Sequence, residues 1–189
     1  MPVFRHNPAT VKRSIDLQPF LLTLACLVAS TAGCSDTSSA SGAVEQLECD
    51  AEPIIRTTDE GIEFVRTPTG CLEDLPDFPY ELKHLDIDGL RQGYVDEGPP
   101  DAPVVLLLHG QPTWAFLYRK MSPVLVDAGY RAIAMDHLGM GNSDKPIDIA
   151  DYSYLGHIDR LEKFINALDL RDITLFAQDW GSLIGLHVA

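Results

Sequence analysis

The sequence predicts an α/β protein, a mostly parallel sheet layered with helices and entered through an antiparallel hairpin. Three observations carry this. Short apolar-rich runs recur at Val104–Leu108, Arg131–Met135 and Ile173–Phe176, and continuous runs of that kind suit strands covered on both faces. The segments between and after them place apolar residues at helical spacing, so strand and helix alternate and the strands pair in parallel. Ahead of them, Lys83–Ile87 and Leu90–Asp96 flank Asp88-Gly89, a pair that accepts the positive φ angles of a tight hairpin turn.

The first residues read as an export signal rather than as fold. Basic residues up to Arg13 precede an apolar run, Phe20–Ala29, and then Ser30-Thr31-Ala32-Gly33-Cys34. Charged, apolar and small-residue regions in that order mark a secretory leader, and the run is too short for a stable membrane-spanning helix. Thr31–Cys34 resembles a bacterial lipobox, which implies cleavage before Cys34 and a lipid on its sulfur. The expected organisation is a leader over 1–33, a flexible Ser/Gly-rich tether over 34–53 and the folded domain over 54–189. The expected location is periplasmic or membrane-anchored. In such an oxidising compartment Cys49 and Cys71 suit a disulfide, although two free thiols fit the sequence nearly as well. A formal net charge of −14 repels nucleic acid and anionic headgroups, so neither is expected as a partner.

Within the domain, Leu72–Leu82 is rich in proline and aromatic residues and is expected to lie extended across a surface. Val104–Leu108 is expected as a central parallel strand. A single helix is expected over Trp114–Ala128, with Phe116, Leu117, Met121, Val124 and Leu125 inward, closed by Gly129 at its C-terminal turn. The loop Asp136–Pro146 carries two glycines and a proline and reads as irregular. Tyr152–Leu168 reads as an amphipathic helix capped by Asp151 or Ser153. By the right-handed crossover rule, the three strands should lie side by side or nearly so.

The chemistry concentrates in Ile173–Gly185. Here Ala177-Gln178-Asp179-Trp180-Gly181 follows a strand and opens a helix, the small-x-nucleophile-x-small pattern of a sharp strand–turn–helix elbow. Only small residues at Ala177 and Gly181 permit so tight a bend, which pushes the middle side chain, Asp179, out above the sheet. An aspartate there also suits a plain helix N-cap. An elbow needs an oxyanion hole, with one donor from the backbone N–H of Trp180 at the helix start. Gln111, in His109-Gly110-Gln111-Pro112, stands where the second donor belongs, with Gly110 allowing close approach and Pro112 fixing the turn in a candidate cis bond. Among the six histidines, His109 reads as structural, His137 as a surface-loop residue and His187 as facing core or solvent.

HGQPTWAFLYRKM (His109–Met121), AIAMDHLGMGNSDKP (Ala132–Pro146), ITLFAQDWGSLIG (Ile173–Gly185) and the lead-in RTPTGCLEDLPDFPY (Arg66–Tyr80) resemble the haloalkane dehalogenases of the α/β-hydrolase fold. The resemblance implies that Asp179 is the nucleophile, with a small haloalkane, water and the departing halide as partners and no cofactor or metal. It implies halide binding by the Trp180 indole, and Gln111 stands where the family has either a halide-holding asparagine or a water-positioning glutamate. It also implies a cap, an orienting acid and a histidine base at positions this chain does not contain, so the chain is expected to be a truncated piece that does not turn over. Two other readings remain from the sequence: an epoxide hydrolase of the same fold, which shares the elbow aspartate, and a non-catalytic exported remnant.

Overall fold

The computed structural model describes residues 49–189. The expected leader, the lipid site at Cys34 and the tether up to residue 48 lie outside the described residues. Among the described residues no helix is long and apolar enough to cross a membrane.

Two sheets form. In the smaller, β1 (Arg56–Thr57) pairs antiparallel with β2 (Glu63–Val65). The larger holds β3 (Lys83–Ile87), β4 (Leu90–Glu97), β5 (Val104–Leu108), β6 (Arg131–Met135) and β8 (Thr174–Ala177) in the order β3-β4-β6-β5-β8. The predicted hairpin is present, with Asp88 at φ 53° and Gly89 at φ 72°, and the Asp86 carboxylate accepts the Gly89 N–H at 3.0 Å. β5 lies between β6 and β8 and pairs in parallel with both, so the three predicted strands are neighbours. β4, however, lies directly against β6 in antiparallel register. The hairpin therefore contributes half the ladders, and the sheet is evenly mixed rather than mostly parallel.

Both faces of β5 are covered. Leu106 and Leu108 pack with Ile133 and Met135 against α2 (Tyr154–Ala167) and α3 (Trp180–Val188), through Ile158, Leu161, Phe164 and Ile184. On the other face, Val105 and Leu107 pack with Tyr118 and Phe78. Phe78 belongs to the Pro-rich segment and sits 5.0 Å from the Trp114 ring, so that segment seals the sheet rather than merely crossing its surface. Ser153 resolves the cap of α2: its hydroxyl accepts the Gly156 N–H at 3.0 Å.

Three expectations need correction. The helix expected over Trp114–Ala128 is a 3₁₀ turn, Ala115–Tyr118, followed by a separate α1 (Ser122–Asp127). Pro123 lies in the first turn of α1; it has no N–H to give and its ring clashes with a carbonyl four residues back, so it starts a helix and cannot continue one. With the axis broken, Val124 turns to solvent, 65 % exposed. Second, Lys145–Pro146, expected as irregular, extends as β7 along the edge of β2, where a proline is tolerated. Third, β8 is not buried on both faces: Leu175 and Ala177 pack inward, but Thr174 and Phe176 are exposed. Among the described residues β8 is an edge strand, and on its second face only the edge of the Tyr118 ring meets Phe176, 6.0 Å between centroids.

Cys49 and Cys71 are joined in a disulfide, with Cα atoms 5.5 Å apart and 22 residues of separation. By loop-closure entropy a ring of that size stabilises the fold by about 3 kcal/mol. Urea unfolding with and without reductant is expected to show a loss of that order; coincident midpoints would reject it.

Candidate active site

Parallel β5, β6 and β8 end on one edge of the sheet, where ligands gather in open α/β folds. Between β8 and α3 the chain turns through Asp179 at φ 52°, ψ −127°, a region costly for a residue with a Cβ. The turn is as tight as the sequence predicts. A Cβ on Gly181 would run into the carbonyl oxygens of Leu108 and His109. Asp179 stands at the N-cap position of α3, but its side chain makes no cap bond. Instead its Oδ1 accepts the Gln111 backbone N–H at 3.0 Å. The nearby N–H of Trp180, and then that of Gln111, holds the carboxyl below its ordinary value, because donors favour the charged form. Gly110 lies so close that a Cβ there would overlap the Asp179 side chain. The Gln111–Pro112 bond is cis. Asp179, Gln111 and Trp180 are thus brought together, while Cys34 lies outside the described residues.

A cleft of about 440 Å³ opens beside this group, bordered by Gln111, Trp180, His137, Tyr152, His157 and Ile184. Trp180 is 43 % exposed, so among the described residues the site is open rather than dry. His137 is not the surface residue expected; it is buried, as is His109. The His137 N–H donates to His109 Nε2 at 2.9 Å, which leaves the His109 proton on Nδ1, donated to the Gly110 carbonyl at 2.9 Å. The His137 ring nitrogen Nε2 donates in turn to the His109 carbonyl at 2.9 Å. Burial keeps both rings neutral, lowering His109 to about 4 and His137 to about 3. His187 is exposed, its ring 5.9 Å from that of Tyr154.

A buried neutral histidine makes a fold acid-sensitive. The unfolded chain takes up its proton near pH 6.5 and the folded chain does not, so stability is lost as pH falls from 6.5 toward 4. Asp136, raised by burial to about 6, works in the opposite sense between pH 6 and 4, as does Glu97, also raised by burial, but His157 is lowered by burial too, so two acids oppose three histidines. The thermal midpoint is therefore expected to be lower at pH 4.5 than at pH 7. Equal midpoints would mean that the pair is protonated as easily folded as unfolded.

Residues 103–189 match the family described as alpha/beta hydrolase fold. The chain has the α/β-hydrolase fold. The sequence is 50% identical to a haloalkane dehalogenase of Mycolicibacterium paratuberculosis over 130 residues, which is 66% of this chain and 43% of that one. It is 48% identical to a haloalkane dehalogenase of Psychrobacter cryohalolentis, covering 67% of this chain and 44% of the relative. Among solved structures, a haloalkane dehalogenase from Paraglaciecola agarilytica superposes with a TM-score of 0.65 at 45% identity, over 67% of this chain and 44% of that one. A mutant epoxide hydrolase from Vigna radiata gives a TM-score of 0.54 at 31% identity, over 58% and 34%. The chain spans less than half the length of the curated relatives it matches.

Sequence reasoning missed the buried acids that shape the loops of this α/β-hydrolase fold. Asp136 accepts the backbone N–H groups of Ala115 and Asn142, each at 2.7 Å, and so ties the loop after β5 to the loop after β6. Asp144, fully buried, accepts Arg66 through two nitrogens at 2.7 and 2.6 Å and the Arg91 N–H at 2.7 Å. Gly, Asn, Ser and Lys surround both acids, and that composition reads as a solvated turn. The available signal was the partners, two arginines far away in sequence.

Proposed function

We propose that this chain carries the nucleophile-bearing part of a haloalkane dehalogenase-like hydrolase. The observation that carries the reading is the Asp179 carboxylate at the elbow, with Oδ1 on the Gln111 N–H and Trp180 beside it. Held through Oδ1, the carboxylate attacks with Oδ2 at the carbon bearing the halogen. The carbon–halogen bond breaks, the halide leaves with the bonding pair, and an aspartyl-alkyl ester forms. The indole N–H of Trp180, with the Gln111 side-chain amide as a second candidate, serves the departing halide. Water then attacks the ester carbonyl, whose oxyanion sits on the N–H groups of Gln111 and Trp180, and the alcohol leaves as Asp179 is restored. That second half needs a base, and none of the described residues is assigned to it.

The ester is therefore expected to accumulate. Incubation with 1-bromobutane should add one butyl group, traced by peptide mass to Asp179, with one bromide released per chain. No adduct, or an adduct elsewhere that survives Asp179→Asn, rejects the reading. The structural likeness to epoxide hydrolases supports a second reading in which the same carboxylate opens an oxirane; an adduct from styrene oxide and none from 1-bromobutane would select it. The site of action we propose is outside the cytoplasm, held by lipid on Cys34. The leader pattern supports this, and so does the Cys49–Cys71 disulfide, which suits an oxidising compartment. Palmitate labelling in bacterial cells should be lost in Cys34→Ala.

A further inference from the structure

We infer that His137 is a positioning residue for the Asp179 carboxylate, acting through two bonds to His109 that fix the peptide presenting the Gln111 N–H. The inference rests on Asp179 being the reactive carboxylate and follows from the order of the hydrogen bonds. A peptide unit is planar and trans between Gly110 and Gln111, so its carbonyl and its N–H point in opposite directions. The Gly110 carbonyl is held by three donors: the His109 ring at 2.9 Å, the Thr113 N–H at 3.0 Å and the Thr113 hydroxyl at 3.0 Å. Fixing that carbonyl aims the Gln111 N–H the other way, onto Asp179 Oδ1.

The His109 ring donates to Gly110 only while its proton is on Nδ1, and it is there because the His137 N–H occupies Nε2. The His137 ring also holds the preceding peptide by donating to the His109 carbonyl. That carbonyl lies directly under Gly181, where α3 begins. His137 thus braces two successive peptides of the loop from the β6 side. No other ring nitrogen reaches the His109 carbonyl among the described residues.

The test uses the full chain and needs no substrate. Nitrogen-15 imidazole shifts should show His109 as the Nδ1–H tautomer and His137 as the Nε2–H tautomer. Titration of the Asp179 carboxyl carbon should show its midpoint rising toward the ordinary aspartate value in His137→Leu, with a shift of the Gln111 amide resonance. His137→Gln, whose amide nitrogen can stand where Nε2 stood, should restore both. His109 found on the Nε2–H tautomer overturns the inference, and so does a folded His137→Leu chain with an unmoved Asp179 midpoint. Should His137→Leu not fold, the tautomers of the unmodified chain and the midpoint in His137→Gln decide. Because alkylation is not read, failure of the dehalogenase reading and failure of this one remain separate results.

Discussion

Replacing Gly110 with alanine is expected to slow alkylation of Asp179 by about a hundredfold, the penalty for misplacing a reacting group by roughly 1 Å. The thermal midpoint should fall as well. Gly110 is not among the residues with positive φ, so its backbone accepts an alanine without strain. What does not accept it is Asp179, whose side chain the new Cβ would overlap. Swinging the carboxylate away is not enough, because the nearest atom is the Asp179 Cβ itself; the two backbones must part, which takes Oδ1 off the Gln111 N–H. Gly129→Ala is the matched control. Gly129 has φ 87° with nothing within 4 Å of a Cβ, so alanine there should lower stability by about 1 kcal/mol through backbone strain and leave alkylation untouched. The measurement is the rate of adduct formation by intact mass, beside a thermal melt for each variant. A Gly110→Ala chain that alkylates at the unmodified rate would show that Asp179 does not depend on this contact.

What could be read from the sequence was whatever its nearest neighbours determine. Asp88-Gly89 makes its hairpin because local backbone preference selects the turn, and Ser153 caps α2 within its own first turn. The elbow was legible because its requirement is local too: two small residues about a strained aspartate. One error was local, a proline passed over; the others arose where distant groups decide. Leu117 and Val124 keep helical spacing, yet Pro123 breaks the axis, and only then do those side chains miss the core. His137 sits among loop residues, and its burial comes from His109, 28 residues earlier. The exposure of Phe176 on β8 follows from what packs on that face of the sheet, and no residue of the strand itself specifies that. Candidate donors could be placed by position in the turn, but the bond from Gln111 to Asp179 spans 68 residues and needed the fold.

Asp144 puts the largest share of stability on one side chain. It is fully buried, and its carboxylate meets Arg66 in a two-pronged pair, the Arg91 N–H, and Arg91 Nε at 3.9 Å. Those partners come from the segment after β2 and from β4, while Asp144 ends the loop that follows β6. One carboxylate therefore joins three stretches that share no other close ion pair among the described residues. Asp144→Ala removes the anion and leaves two guanidiniums facing each other; burial, and then the Arg66 charge, already hold Arg91 below its ordinary value. Breaking such a buried pair from one side destabilises by about 3–5 kcal/mol, read as a fall in the urea midpoint at unchanged slope. The second substitution decides the cause. If stranded charge dominates, Arg66→Met added to Asp144→Ala should recover part of the loss, and the two changes should fail to add. If the double variant is as unstable as the sum of the singles, the carboxylate acts instead through the Arg91 N–H, as a backbone brace for β4. A loss under about 1 kcal/mol in Asp144→Ala, the range of an exposed pair, would contradict both, since it would mean that this acid is solvated and the loop beside the cleft is held by something else.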